Sequence, residues 1–234
     1  MPELYQKRYG WFLELGQVDY ERTLNWQREM VKRRESGMIR DTIILVEHPS
    51  VVTVGRDGHK NNFLGLSREP IFIERGGDVT YHGPGQLVVY FVFNLTRRGR
   101  DLHQFVESIQ EGIIRTLKEY GVDNAAHNPK STGVWIADRK LASIGVAVKK
   151  WISFHGAAIN VNTDLSDFKQ INPCGLEPEV MTSLEQLIDR RVPLAEFGRI
   201  LIEKYAEVFD TNFMPVHLEE LAEDVKSQDG GGLV

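Results

Sequence analysis

The apolar positions repeat with two different periods, and the periods divide the chain into elements. Between residues 101 and 120, Leu102, Phe105, Val106, Ile109, Ile113 and Leu117 recur at helical spacing, which predicts a helix. Asp101 is placed to cap its start and Gly121 its end. Leu194, Phe197, Leu201, Tyr205 and Val208 form a second stripe, predicting a helix over 193–209 with Pro193 in its first turn. A third helix is predicted over 19–36, ended by Gly37.

The other apolar runs are short and rich in β-branched and aromatic residues. They predict strands at 11–15, 42–47, 51–55, 71–74, 79–82 and 86–95. Further strands are read in GVWI, KLASIGVAV and ISFHGAAINVN. Short links between neighbouring strands argue for mixed and antiparallel pairing rather than regular βαβ winding. The expectation is an α+β fold in a single domain, one mixed β-sheet flanked by helices. Residues 1–214 are expected to form the catalytic domain, and 215–234 a C-terminal extension. The end of that extension, KSQDGGGLV, reads as disordered, because it has little to bury.

Composition narrows the class. The 234 residues are 41% hydrophobic and 26% charged, enough to bury a core without disulfide or metal staples. The formal charge of −5 argues against nucleic acid as a partner, since phosphates demand a basic surplus. Basic residues do cluster locally, in VKRR, RRGR and KK at 149–150. These read as solvated faces, or as docking patches for an acidic partner. No apolar run approaches the roughly 20 residues of a membrane span, and no signal peptide is read at the N-terminus, so a cytoplasmic protein is expected. One cysteine excludes an internal disulfide and fits a reducing compartment.

Three segments carry candidate chemistry. RGGDVTYHGPGQ, residues 75–86, holds four glycines that flank Arg75, Tyr81, His82 and Gln86. Glycines serve where backbone must come close to something, so this stretch reads as a ligand wall. It has neither a P-loop nor a dinucleotide fingerprint, so no cofactor is expected. In KLASIGVAVKKWISFHGAAINVN, Ser143 and Gly145 lighten an apolar strand that begins at Lys140. Lys140 reads either as an ordinary surface lysine or as an amine projecting into a cleft, where partial desolvation would ease proton exchange. The third segment, INPCGL, displays Cys174 between Pro173 and Gly175. A lone cysteine is most often a buried small hydrophobe. A polar, turn-forming setting instead suits a nucleophilic thiol. Thr182, with Glu185 three residues on, reads as the N-cap of the helix that follows. The histidines lack metal-ligand spacing, so no metal site is expected.

Together RGGDVTYHGPGQLVVY, KLASIGVAVKKWISFHGAAINVN, INPCGL…MTSL and the earlier EHPSVVTVGR resemble the lipoyl(octanoyl) transferase family. The resemblance spans about residues 11–210 and implies a fold like the biotin and lipoate protein ligases. It implies transfer of octanoyl from acyl carrier protein to a lysine of lipoyl domains. Acceptors in the family are 2-oxoacid dehydrogenase subunits and the glycine-cleavage H protein. The family's acyl-thioester cysteine falls on Cys174 and its paired lysine on Lys140. Substrate-binding positions fall on Arg75, Gly76, Gly77, Tyr81, His82 and Gly83 in the first block. In the second they fall on Ser143, Ile144, Gly145, His155, Gly156 and Ala157. For His82, catalytic and purely hydrogen-bonding roles both stay open. Backbone amides at Gly76–Gly77 or Gly175 are candidate oxyanion donors, and Arg97 and Arg98 candidate docking residues. Competing readings are a protein-to-protein amidotransferase, an ATP-dependent lipoate ligase, and a non-catalytic module that binds acyl chains or lipoyl domains.

Overall fold

The computed structural model describes residues 8–66, 69–128 and 131–223, with backbone alone at positions 60, 174, 222 and 223. The segment read as a disordered tail, from residue 226 on, lies outside them. In chain order the elements are β1 (Arg8–Gln17), α1 (Tyr20–Ser36), β2 (Thr42–Glu47), β3 (Val51–Val54), β4 (Ile71–Phe72), β5 (Val79–His82), β6 (Gln86–Val92) and α2 (Leu102–Lys118). They continue with β7 (Ala125–His127), β8 (Gly133–Ile136), β9 (Arg139–Lys149), β10 (Ile152–Asn160), α3 (Leu184–Ile188), α4 (Leu194–Val208), β11 (Thr211–Pro215) and α5 (Leu218–Glu223). Eight strands form one mixed sheet in the order β11-β1-β2-β6-β10-β9-β8-β7, and β4-β3-β5 form a small second sheet. β1 runs parallel to both of its neighbours, and the other pairings of the large sheet are antiparallel. The α+β, mixed-sheet expectation holds.

The central strands are apolar throughout because helices cover both faces. On β2 and β6, Ile43, Leu45, Leu87, Val89 and Phe91 pack against α2 and α4. The alternate residues Ile44, Val46, Val88, Tyr90 and Val92 face α1. The helix caps follow local chemistry: Asp19 accepts from Arg22 N–H, Asp101 from Gln104 N–H, and Gly37 closes α1 at φ 82°.

Several details differ from the sequence reading. β7 and β11 are additional strands, and the strand expected over 71–74 is reduced to Ile71–Phe72. Ser183, not Thr182, caps α3. Its hydroxyl accepts from Gln186 N–H, whereas Thr182 N–H is committed to the Lys140 carbonyl. Arg98 is no docking residue. It is nine-tenths buried, bonds Asp41 through Nε and Nη2, and lies over the rings of Phe93 and Phe209. Past β11, Leu221 of α5 is buried against the α1 side of the core.

Candidate active site

The site forms where β8 ends. β8 pairs with β9 only from Gly133↔Ser143 to Ile136↔Arg139, and beyond Ser143 the Gly76 amide takes over that edge by donating to Val146 O at 3.0 Å. The docking needs bare backbone on both sides. A Cβ on Gly145 would lie 2.7 Å from Gly76 O, and one on Gly55 would lie 2.1 Å from Gly77 O.

A narrow, mostly apolar pocket lies between the small sheet and the α1 side of the large one. Its floor is nearly free of side chains: Gly156 pairs with Gly145, and Ala158 with Ser143. Of the expected positions, Arg75, Gly76, Gly77, His82, Ser143 and Ile144 line it, as do Gly145, His155, Gly156 and Ala157. Tyr81 does not. It points to the other face of β5, its hydroxyl donating to Asp167 at 2.6 Å and its ring edge-on to Phe168. Gly83 lies outside the pocket as well; a Cβ there would strike the Tyr81 hydroxyl at 1.9 Å.

Five polar side chains in and behind the pocket wall form one chain. Arg75 Nη2 donates to Thr53 Oγ1 at 3.1 Å, which in turn donates to His82 Nε2 at 3.3 Å. His82 Nδ1 then donates to Gln86 Oε1 at 2.8 Å, and Gln86 Nε2 to Asn160 Oδ1 at 3.0 Å. Asn160 Nδ2 ends the chain on Thr182 O at 3.1 Å. His82 is therefore neutral, and burial pulls its pKa down to about 3. Its two bonds give it a structural, hydrogen-bonding place in the wall.

Sequence reasoning missed Tyr20 and Tyr90, which lie in the interior beside the histidines. Tyr20 stacks on His82, with centroids 5.4 Å apart. His48 Nδ1 donates to Val18 O, and its Nε2 accepts from the Tyr90 hydroxyl at 2.8 Å. Burial lowers the pKa of His48 and of His155 as well. With all three folded-state values depressed, the unfolded chain binds more protons below pH ~6.5, so stability present above that pH is lost on acidification. The unfolding free energy should fall by up to ~4 kcal/mol per pH unit below pH ~5.5 if all three stay neutral in the fold. Urea titrations at several pH values measure that slope, and a slope under one proton would contradict three neutral histidines.

Lys140 belongs to an adjoining open cleft that shares Gly76, Gly77, Ile144 and Gly145 with the pocket. The surface-lysine reading fails, because Lys140 is 1% exposed. Its Nζ donates to Ser131 Oγ at 3.3 Å and lies 5.5 Å from the Trp135 ring centroid. Gly133 makes room for the stem: a Cβ there would sit 2.7 Å from Lys140 Cε.

The Cys174 side chain lies outside the described residues. Its backbone belongs to a 3₁₀ turn, Pro173–Gly175. Asn172 N–H bonds Asn62 O before the turn, and Thr182 N–H bonds Lys140 O after it, so the segment is anchored to the strand that carries the lysine. The amides considered as oxyanion donors are already committed: Gly76 to Val146 O, Gly77 to Asp57 Oδ2 and Gly175 to Asn172 O. That expectation is corrected. Among the described residues no group of three His, Cys, Asp or Glu side chains is placed to hold a metal.

Comparison with known proteins agrees with this geometry. The lipoyl protein ligase A/B catalytic domain family matches residues 19–206. An octanoyltransferase of Caldicellulosiruptor saccharolyticus is 40% identical over 221 residues, covering 91% of this chain and 94% of the relative. One of Solibacter usitatus is 43% identical over 209 residues, covering 86% and 94%. A lipoate-protein ligase A crystallised with ATP shares the fold, with a TM-score of 0.70, 16% identity and 95% of each chain covered. The biotin protein ligase of Aquifex aeolicus is more distant, with a TM-score of 0.52 at 14% identity over 86% of this chain and 69% of its own. Near-full-length identity of this degree, with a family match over most of the chain, places it in the octanoyltransferase family of acyltransferases, within the lipoate and biotin protein ligase fold.

Proposed function

We propose that the chain moves an octanoyl group from octanoyl-acyl carrier protein to a lysine of a lipoyl domain, through a thioester on Cys174. One observation carries the reading. A lysine with almost no exposure stands in the wall of a cleft that adjoins a mostly apolar pocket.

The Cys174 thiolate attacks the thioester carbonyl, and the carrier's thiolate leaves, taking a proton from the Lys140 ammonium and leaving that amine neutral. A free thiol of pKa ~8.5 is only about 3% thiolate at pH 7, so Lys140 contributes either as a cation that favours the thiolate or as the base that takes its proton. The acceptor amine then attacks the enzyme thioester, yields its proton to Lys140, and forms the amide as the Cys174 thiolate is released. The first exchange is nearly isoenergetic and the second runs downhill, so no ATP is needed. At ~0.8 kcal/mol per buried methylene, the octanoyl tail supplies roughly 5 kcal/mol of binding. The acceptors in this reading are lipoyl domains of 2-oxoacid dehydrogenase complexes and the glycine-cleavage H protein, in the cytoplasm. Residues 1–214 act as the catalytic unit, with 215–234 as an extension of it.

Incubation with octanoyl-carrier protein should give a hydroxylamine-labile octanoyl adduct by intact mass, absent in Cys174→Ser. An adduct that survives Cys174→Ser would overturn the cysteine assignment. Dependence on ATP would point to a ligase, and transfer from octanoylated H protein without carrier protein to an amidotransferase.

A further inference from the structure

His155 is 1% exposed, yet neither ring nitrogen has a hydrogen-bond partner. Glu74 approaches Nε2 only to 3.9 Å, beyond hydrogen-bond length. Strand alternation assigns residue 155 to the opposite face, where Ala157 and Ile159 pack. A φ of 59° turns it over. Its amide bonds Gln27 Oε1 on α1, and its ring stacks on Phe154 and meets Tyr90 edge-on. A non-glycine residue holds this conformation only where its surroundings over-determine it, and such strain concentrates at functional sites. Thr80 Oγ1, in the same pocket wall, is likewise buried without a partner.

We propose that His155, supported by Thr80, sets the length of acyl chain the pocket accepts, by presenting a polar wall that an alkyl tail leaves unsatisfied. This rests on the acyl-pocket reading above. Each methylene added in an apolar slot tightens binding about 4-fold. Water entering the pocket can bond the imidazole and the hydroxyl, whereas an alkyl tail displaces that water and offers nothing in return. Sealing such an atom off weakens binding about 5- to 150-fold, so the methylene that reaches His155 loses more than it gains.

The test is calorimetric binding of octanoate, decanoate and dodecanoate to the full chain, in wild type, His155→Gly and His155→Asn. Glycine adopts positive φ freely and asparagine tolerates it, so both variants suit the backbone. The readout is the order of affinities within each protein, which a general loss of stability does not move. In wild type, dodecanoate should bind no tighter than octanoate. In His155→Gly it should bind at least 10-fold tighter, and in His155→Asn, which keeps a polar group, the wild-type order should persist. Affinity rising about 4-fold per methylene in wild type, or an unchanged order in His155→Gly, overturns the proposal. So does an asparagine variant that behaves like the glycine variant, since space rather than polarity would then set the limit. If none of the acids binds and no octanoyl adduct forms, the acyl-pocket reading itself fails. Adduct formation without length discrimination defeats only the length limit.

Discussion

Lys140→Met should slow octanoyl transfer by roughly 10²–10⁴-fold, the usual reach of a positioned acid or base, while the protein stays folded. Methionine nearly matches the lysine stem, so the space beside Gly133 remains filled while the bond to Ser131 is lost. Because Cys174 is the only cysteine, the thiolate absorbance of the whole chain reports that sulfur alone. If Lys140 favours the thiolate, its replacement shifts the titration upward, toward ~8.5. Single-turnover acylation should fall with the thiolate fraction, and deacylation by an acceptor amine should fall as well if the same lysine takes that proton. A variant within 5-fold of wild type in both half-reactions would remove Lys140 from the chemistry.

Much of the frame is legible in the sequence because its signals are local. Phe105, Ile109 and Ile113 on α2, and Phe197, Leu201 and Tyr205 on α4, mark helix faces that are buried in the structure. The run from Leu87 to Phe93 predicts a strand by its β-branched and aromatic content, and in the structure it lies at the centre of the sheet, covered on both faces. β11 is a weaker case. TNFMP is a short edge strand with two inward residues, Thr211 and Phe213, and a proline, so period and propensity both fail. It exists because β1 offers it a parallel partner far away in sequence.

The candidate site divides the same way. Its glycines are visible because close backbone approach admits few other residues. Tyr81 and His82 are adjacent, and only strand alternation separates them, sending one toward Phe168 and the other into the pocket wall. His155 defeats alternation through a backbone inversion that no neighbouring residue announces. A signal for Gln27 did exist: a polar residue at a stripe position between Leu24 and Met30, on a helix face that is otherwise buried. The RRGR cluster shows the opposite limit. Charge alone does not separate Arg97, which is exposed, from Arg98, which is enclosed.

Asp41→Ala should destabilise the fold by about 3–5 kcal/mol, against less than ~1 kcal/mol for Arg199→Ala in the exposed Arg199–Glu203 pair. Asp41 Oδ1 accepts from Arg34 Nε and from Asn94 N–H, both at 2.8 Å. Its Oδ2 accepts from Arg98 Nε at 3.1 Å and Nη2 at 2.9 Å. Arg98 continues to Phe209 O and Thr211 Oγ1, so one carboxylate links the end of α1, the start of β2, the turn after β6 and the approach to β11. All three charged side chains are about nine-tenths buried. Removing the acid leaves two guanidinium groups with little water and no counter-charge, whereas a surface pair forfeits only screened attraction. In a chain of this size the loss corresponds to a fall in melting temperature of about 6–20 °C. Arg98→Glu, which sets two carboxylates face to face, should be worse still and yield little folded protein. Chemical denaturation of Asp41→Ala is the measurement: a loss under 1 kcal/mol would mean that water reaches the arginines and that this junction is open rather than sealed.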